Sequence, residues 1–160
     1  MSEPRMKEKT LRIRTTRFGD IEVSEEKVIV FGSGLPGFEG LRRFILLDHD
    51  EDGLFKWLQS VDEPSVAFLL TNPTFFKPDY AVPMAKIDAQ QIAVGDPSDL
   101  VTLVMVSVPR GRDHLSLNLK GPLVFNSANM RARQLIIDRE DYPCQFVVPI
   151  ERPAVQAGKE

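Results

Sequence analysis

The apolar positions of this chain recur with the period of a strand or run together in short blocks, and almost nowhere with the period of a helix. In TLRIRTT (10–16), Leu11 and Ile13 fall on one face and the arginines on the other, the alternation of a half-buried strand. Phe18-Gly19-Asp20 supplies turn residues before DIEV (20–23), which predicts a hairpin. Beyond it come KVIVF (27–31), FILLD (44–48), FKWLQS (55–60), SVAFLLT (65–71), VTLVMVSV (101–108), LSLNL (115–119), PLVF (122–125) and RQLIID (133–138). Several are continuous apolar runs bounded by Pro, Gly, Asn or Asp, which predicts strands buried on both faces. The 12 prolines are scattered and exclude long helices. Only EGLRRF (39–44) and KIDAQQIA (86–93) leave room for one or two helical turns. The pattern predicts an all-β, mainly antiparallel fold: a compact single domain with one or two short helices, a barrel or a sandwich, because those arrangements remove exposed sheet edges.

One stretch competes with that picture. GSGLPGFEG (32–40) spells G-x-G-x-x-G after the apolar run VIVF, with acids at Asp48 to Asp52, and so imitates a dinucleotide fingerprint. Such a fingerprint works only where its glycines open a helix inside a strand–helix–strand unit. Pro36 removes a backbone donor within the loop, the helix that could follow is about one turn, and no parallel-sheet unit surrounds it. The glycines are therefore expected to serve a tight turn, with Gly37 after Leu35-Pro36 suited to the third position of a type II turn.

Composition narrows the function. With 42% hydrophobic and 27% charged residues the chain is that of an ordinary globular domain. The start, MSEPRMKEKT, has no apolar segment of the signal-peptide kind, and no apolar run is long enough to span a bilayer. A single cysteine, Cys144, allows no internal disulfide and no thiolate metal site; it reads as a small apolar filler near the C-terminal edge, in a cytoplasmic protein. The net charge of −3 hides a layout. Residues 1–17 hold six basic and two acidic side chains, residues 18–100 six and fifteen, residues 101–160 eight and six. An acidic middle argues against direct RNA or DNA binding and suits a basic protein partner.

Catalytic patterns are thin. His49 and His114 are the only histidines, too few for a multi-histidine metal site. DHDED (48–52) lacks the ligand spacing of a calcium loop and reads as a solvated turn. Nothing local pairs Cys144 with His114 as nucleophile and base. The expectation is a protein that is not an enzyme and needs no cofactor; the alternative is a small-molecule, flavin-type enzyme on a split β-barrel. Candidate partner contacts are Phe38 in the glycine loop, Phe75 and Phe76, and the crowded acids Asp48, Asp50, Glu51 and Asp52, with a core plug capping a barrel end the favoured reading of Phe38 and Phe76. Asn118 and Asn126 are further candidates, although backbone turn satisfaction is the favoured explanation for both. Trp57 reads as core.

Taken in order, TRFGDIEV (16–23), GLPGFE (34–39), FKWLQSVDEPSVAFLL (55–70), PDY (78–80) and NLKGPLVFN (118–126), with Gln134 and Tyr142, resemble the flagellar assembly factors called FliW. The resemblance covers residues 11–142, leaving 1–10 as a basic N-terminal extension and 143–160 as a C-terminal tail. It implies a β-barrel-like protein with two alternative partners, flagellin and CsrA, a small RNA-binding dimer that represses flagellin mRNA translation. It implies further that free FliW antagonises CsrA non-competitively and that flagellin withdraws it. It also adds Tyr80, within PDY, to the candidate contacts.

Overall fold

The structure is a computed structural model, and it describes residues 9–109 and 113–149; residues 1–8 of the 1–10 extension and residues 150–160 of the 143–160 tail lie outside them. The chain opens with the hairpin β1 (Thr10–Thr15) and β2 (Gly19–Ser24), in register from Thr10 opposite Ser24 to Thr15 opposite Gly19. The Thr15 hydroxyl donates to the Gly19 carbonyl at 2.7 Å and accepts the Phe18 amide at 2.7 Å, which closes the turn. Then come β3 (Ile29–Phe31), β4 (Arg43–Asp48), β5 (Phe55–Ser60), β6 (Ala67–Thr71), α1 (Lys86–Gln91), β7 (Leu100–Ser107), β8 (His114–Leu117), β9 (Leu123–Asn126), β10 (Arg131–Gln134) and β11 (Phe146–Pro149).

Strands β3 to β7 form an antiparallel meander, β7 turns back to pair with β9, β9 with β10, and β10 meets β3 in parallel. That closes a seven-stranded barrel. Strand β7 is long enough to serve two partners on one edge: Leu100–Leu103 pair with β9, and Val106–Ser107 with β8. The outer strand β11 continues the sheet beyond β8, from Phe146 opposite Leu117 to Pro149 opposite His114.

Alternation fills the interior. Ile29, Phe31, Phe44, Leu58, Leu70, Leu103, Leu123 and Phe125 form the barrel core, with Phe31 edge-on to Phe44 and to Phe125. Some of the intervening residues, which face outward, are covered in turn. Val104 lies under Tyr80, Leu117, Leu119, Ile137 and Tyr142, and Val124 joins Ile92 and Leu135 beside α1. Residues buried on both faces explain why these strands read as unbroken apolar runs.

Four expectations need correction. EGLRRF forms no helix: the Phe38 amide bonds the Leu35 carbonyl and the Leu41 amide the Phe38 carbonyl, so successive turns lead straight into β4. RQLIID is a strand only to Gln134. Leu135 and Ile137 still donate to the Pro122 and Lys120 carbonyls, but Pro122 has no N–H to return the bond. Cys144 is exposed, because Tyr142 takes the buried position and the chain turns outward through 143–145. Trp57 is half-buried on the outer barrel face, since Leu58 is the residue of that pair that faces in; Arg17 lies over its ring at 4.1 Å and Phe18 packs edge-on at 6.1 Å.

Candidate functional site: the two ends of the barrel

The barrel ends differ. At one end the glycine loop folds over the core. Gly34 and Gly37 have φ of +70° and +84°, and the Phe38-to-Leu35 bond of 2.7 Å closes the turn over Pro36-Gly37, as the type II reading requires. Leu35 is buried in the core and Phe38 stands edge-on to Phe68 at 5.4 Å, still 38% exposed. Together they plug this end. Beside the plug runs a groove of about 430 Å³ between Gly32–Gly34, Pro36 and Glu39 on one wall and Gln91, Ile92 and Ala132–Gln134 on the other. The Arg133 guanidinium in that wall is held by Asp88 at 2.8 Å.

The other end is open. Val101 faces inward by alternation with Leu103 and Met105, yet it is 43% exposed. With Ile29, Leu46, Phe125, Asn126, Ser127 and Met130 it lines a cavity of about 120 Å³ at the barrel mouth. Strand direction brings the acidic loops here. β3, β5, β7 and β10 start at this end while β4, β6 and β9 finish at it. Glu25 and Glu26 before β3, Asp48 to Asp52 between β4 and β5, and Asp96 and Asp99 before β7 therefore lie in segments at this end. Lys9, Lys27, Lys56 and Arg131 are the basic side chains among them. At the plugged end Arg43 pairs with Asp62 at 2.6 Å.

Within the crowded acids, two have local partners. Asp48 accepts from Lys56 Nζ at 2.7 Å, which holds its carboxyl below the usual carboxylate range. Asp50 accepts the Leu54 amide at 3.0 Å and lies 3.7 Å from His49 Nδ1. Glu51 and Asp52 are exposed and make no ion pair or side-chain hydrogen bond among the described residues.

The remaining candidates lie elsewhere. Phe76 packs against the Tyr80–Tyr142 cluster, whereas its neighbour Phe75 is 56% exposed. Tyr80 is buried: its hydroxyl donates to the Leu119 carbonyl at 2.7 Å and its ring lies 4.5 Å from that of Tyr142. Burial, then Tyr142, push its pKa far above the ordinary phenol value. Asn118 accepts the Gly121 amide at 3.0 Å and so shapes the turn between β8 and β9. Gln134 secures that turn by donating to the Gly121 carbonyl at 2.8 Å. Asn126 is 1% exposed, donates to the Ile92 and Ala93 carbonyls at 2.9 and 3.2 Å, and accepts the Ala128 amide at 3.0 Å. Tyr80 and Asn126 thus spend their polar atoms inside the fold. Sequence reasoning missed Val101 and Met130, whose exposure depends on where the barrel ends, and the convergence of Glu25, Glu26, Asp96 and Asp99 on Asp48–Asp52. No local signal marks either.

The fold and sequence have close counterparts. A flagellar assembly factor FliW of Caldanaerobacter subterraneus is 40% identical over 133 residues, 82% of this chain and 89% of that protein. One from Alkaliphilus metalliredigens is 37% identical over 131 residues, 81% of each chain. One from Syntrophotalea carbinolica is 38% identical over 134 residues, 84% of this chain and 95% of its own. A crystal structure of the flagellar assembly factor FliW superposes with a TM-score of 0.77 at 29% identity, covering 84% of this chain and 94% of the other. The sequence model of the FliW protein matches residues 12–148, and this chain belongs to the FliW family.

Proposed function

We propose that this flagellar assembly factor is a non-enzymatic cytoplasmic binding protein with two alternative partners. It binds CsrA and antagonises CsrA repression of flagellin mRNA translation; it also binds flagellin as a chaperone, so that the flagellin level governs flagellin synthesis. Family membership across residues 12–148 carries this reading. The acidic end of the barrel supports it, because a negative surface attracts a basic RNA-binding protein and repels the phosphates of its RNA. No helix of the described residues is long and apolar enough to cross a membrane. The flavin-type alternative draws no support from the relatives, which carry assembly-factor names.

The test is partner exchange. Flagellin added to the preformed complex with CsrA displaces CsrA at comparable concentrations, which needs an affinity at least about tenfold higher, or about 1.4 kcal/mol. A stable complex of all three proteins in size-exclusion chromatography would refute the exchange.

A further inference from the structure

The barrel opens on its side as well as at its end. Strands β6 and β7 pair only at Leu70–Met105 and Thr71–Val104, although the same register continued would carry Leu69 to Val106 and Ala67 to Val108. Beyond Met105, β7 turns instead to β8, with Val106 opposite Leu117 and Ser107 opposite Ser116. Ala67, Phe68 and Leu69 stay with β5. The strands therefore part, and a cleft of about 340 Å³ lies between them. Backbone alternation fixes which groups face it. The Ser60 amide donates to the Val66 carbonyl, so even-numbered β6 residues bond β5, and Ala67 and Leu69 turn their backbone groups to the cleft. The Asn118 amide donates to the Met105 carbonyl, so odd-numbered β7 residues bond towards β8, and Val106 and Val108 face the cleft in the same way. No described residue continues the ladder there.

We propose that this cleft receives an extended peptide segment, which adds to the free edge of β6 as a further strand and carries a carboxylate beside aliphatic residues. An unpaired edge is a template for another backbone. Strand addition of this kind takes affinity from main-chain bonds and specificity from alternate side chains. The outward side chains of the cleft suit aliphatic partners: Trp57 and Leu69, opposite one another on β5 and β6, and Val106 and Val108, the last 55% exposed. The carboxylate follows from charge. A neighbouring hollow of about 370 Å³ shares Ala67 with the cleft and is lined also by Thr16, Arg17 and Ser65. Arg17 is the one charged residue lining either space. Its guanidinium lies over the Trp57 ring at 4.1 Å, which orients the cation without neutralising it, and it meets no acid among the described residues. A carboxylate on the segment complements it. The inference concerns the side of the barrel and holds whether or not the two-partner reading does.

The probe is a hexapeptide of alternating valine and threonine that ends in aspartate with a free C-terminus. Titrated into the unaltered protein and followed by NMR, it shifts the backbone amides of Ala67, Leu69, Val106 and Val108 saturably and changes the fluorescence of Trp57. N-methylation throughout the peptide removes its N–H donors, keeps its side chains, and abolishes the shifts. Asparagine in place of the aspartate, with an amidated C-terminus, weakens binding about twofold to fivefold, the range of an exposed ion pair. Arg17→Gln weakens the original peptide by a similar factor, and the two changes together weaken it no more than either alone. If none of the four amides shifts at millimolar peptide, or if the methylated peptide binds equally well, strand addition is overturned. If removing the carboxylates costs as much in Arg17→Gln as in the unaltered protein, the charge pairing is overturned. Sedimentation as a dimer, with the same amides shifting as protein concentration alone rises, gives the edge to a second copy and overturns the peptide.

Discussion

Alanine at Gly34 and alanine at Gly37 separate two costs that the glycine loop combines. Both residues have positive φ, +70° and +84°, a conformation that costs a residue with a Cβ about 1–2 kcal/mol. At Gly37 that is the whole cost, because a Cβ built there meets nothing within 4 Å. At Gly34 the Cβ would lie 2.6 Å from the Glu39 carbonyl oxygen and 2.7 Å from its Cα. Backbone cannot rotate aside as a side chain does, so the second pass of the loop must shift; overpacking of this kind adds about 1–3 kcal/mol. Gly37→Ala is therefore expected to cost roughly 1–2 kcal/mol and Gly34→Ala roughly 2–5 kcal/mol. At about 2–4 °C per kcal/mol for a chain of this size, the melting temperature falls by roughly 2–8 °C and 4–20 °C respectively. Gly37→Val belongs with the milder change, on the order of 1–3 kcal/mol. Urea titrations of the two alanine variants measure the difference directly, provided the slope with urea is unchanged. Equal stability of the two, or a worse Gly37→Ala, would refute the role given to the close passage at Glu39. An unchanged melting point for Gly37→Val with lost partner binding would make the loop a contact surface.

Three other outcomes follow from buried polar groups and one aromatic. Tyr80→Phe loses the bond to the Leu119 carbonyl and should cost about 1 kcal/mol at neutral pH. The folded pKa of Tyr80 lies above its ordinary value of 10.0, so its neutral form stabilises the fold fully below pH 10, and that stability declines as pH rises further. The unfolding free energy then falls by up to about 1.4 kcal/mol per pH unit, and an equally steep alkaline decline in Tyr80→Phe would refute the assignment. Asn126→Ala strands the Ala128 amide and the Ala93 carbonyl, while the Ile92 carbonyl keeps the Asn129 amide, and chemical denaturation should show a loss of about 1–3 kcal/mol. Arg17→Ala removes the cation above Trp57, costs about 0.5–1 kcal/mol, and changes the fluorescence of the only tryptophan; an unaltered spectrum would contradict the stacking.

The residues themselves determined the elements and one turn. Strands at 55–60 and 100–107 are legible because apolar blocks between Pro, Gly and Asp have few local alternatives. The turn at Leu35-Pro36-Gly37 is legible because proline fixes one dihedral and glycine permits the other. The nucleotide imitation in the same loop could be dismissed for the same local reason. A barrel was expected, but the pairing that achieves its closure was not legible. It depends on β7 meeting β9 and on β10 meeting β3 across a hundred residues of chain, pairings that many registers could satisfy with equally apolar strands. Closure and strand direction then decided the rest: that Phe76 is packed while Phe75 is exposed, that Trp57 faces out, and that Asn126 is spent inside. Glu25, Asp52 and Asp99, far apart in sequence, share one end of the barrel only because alternate strand ends lie together. An acid in a loop looks the same in sequence whichever end of the barrel it occupies, since charge is a property of the residue and a surface is a property of the fold.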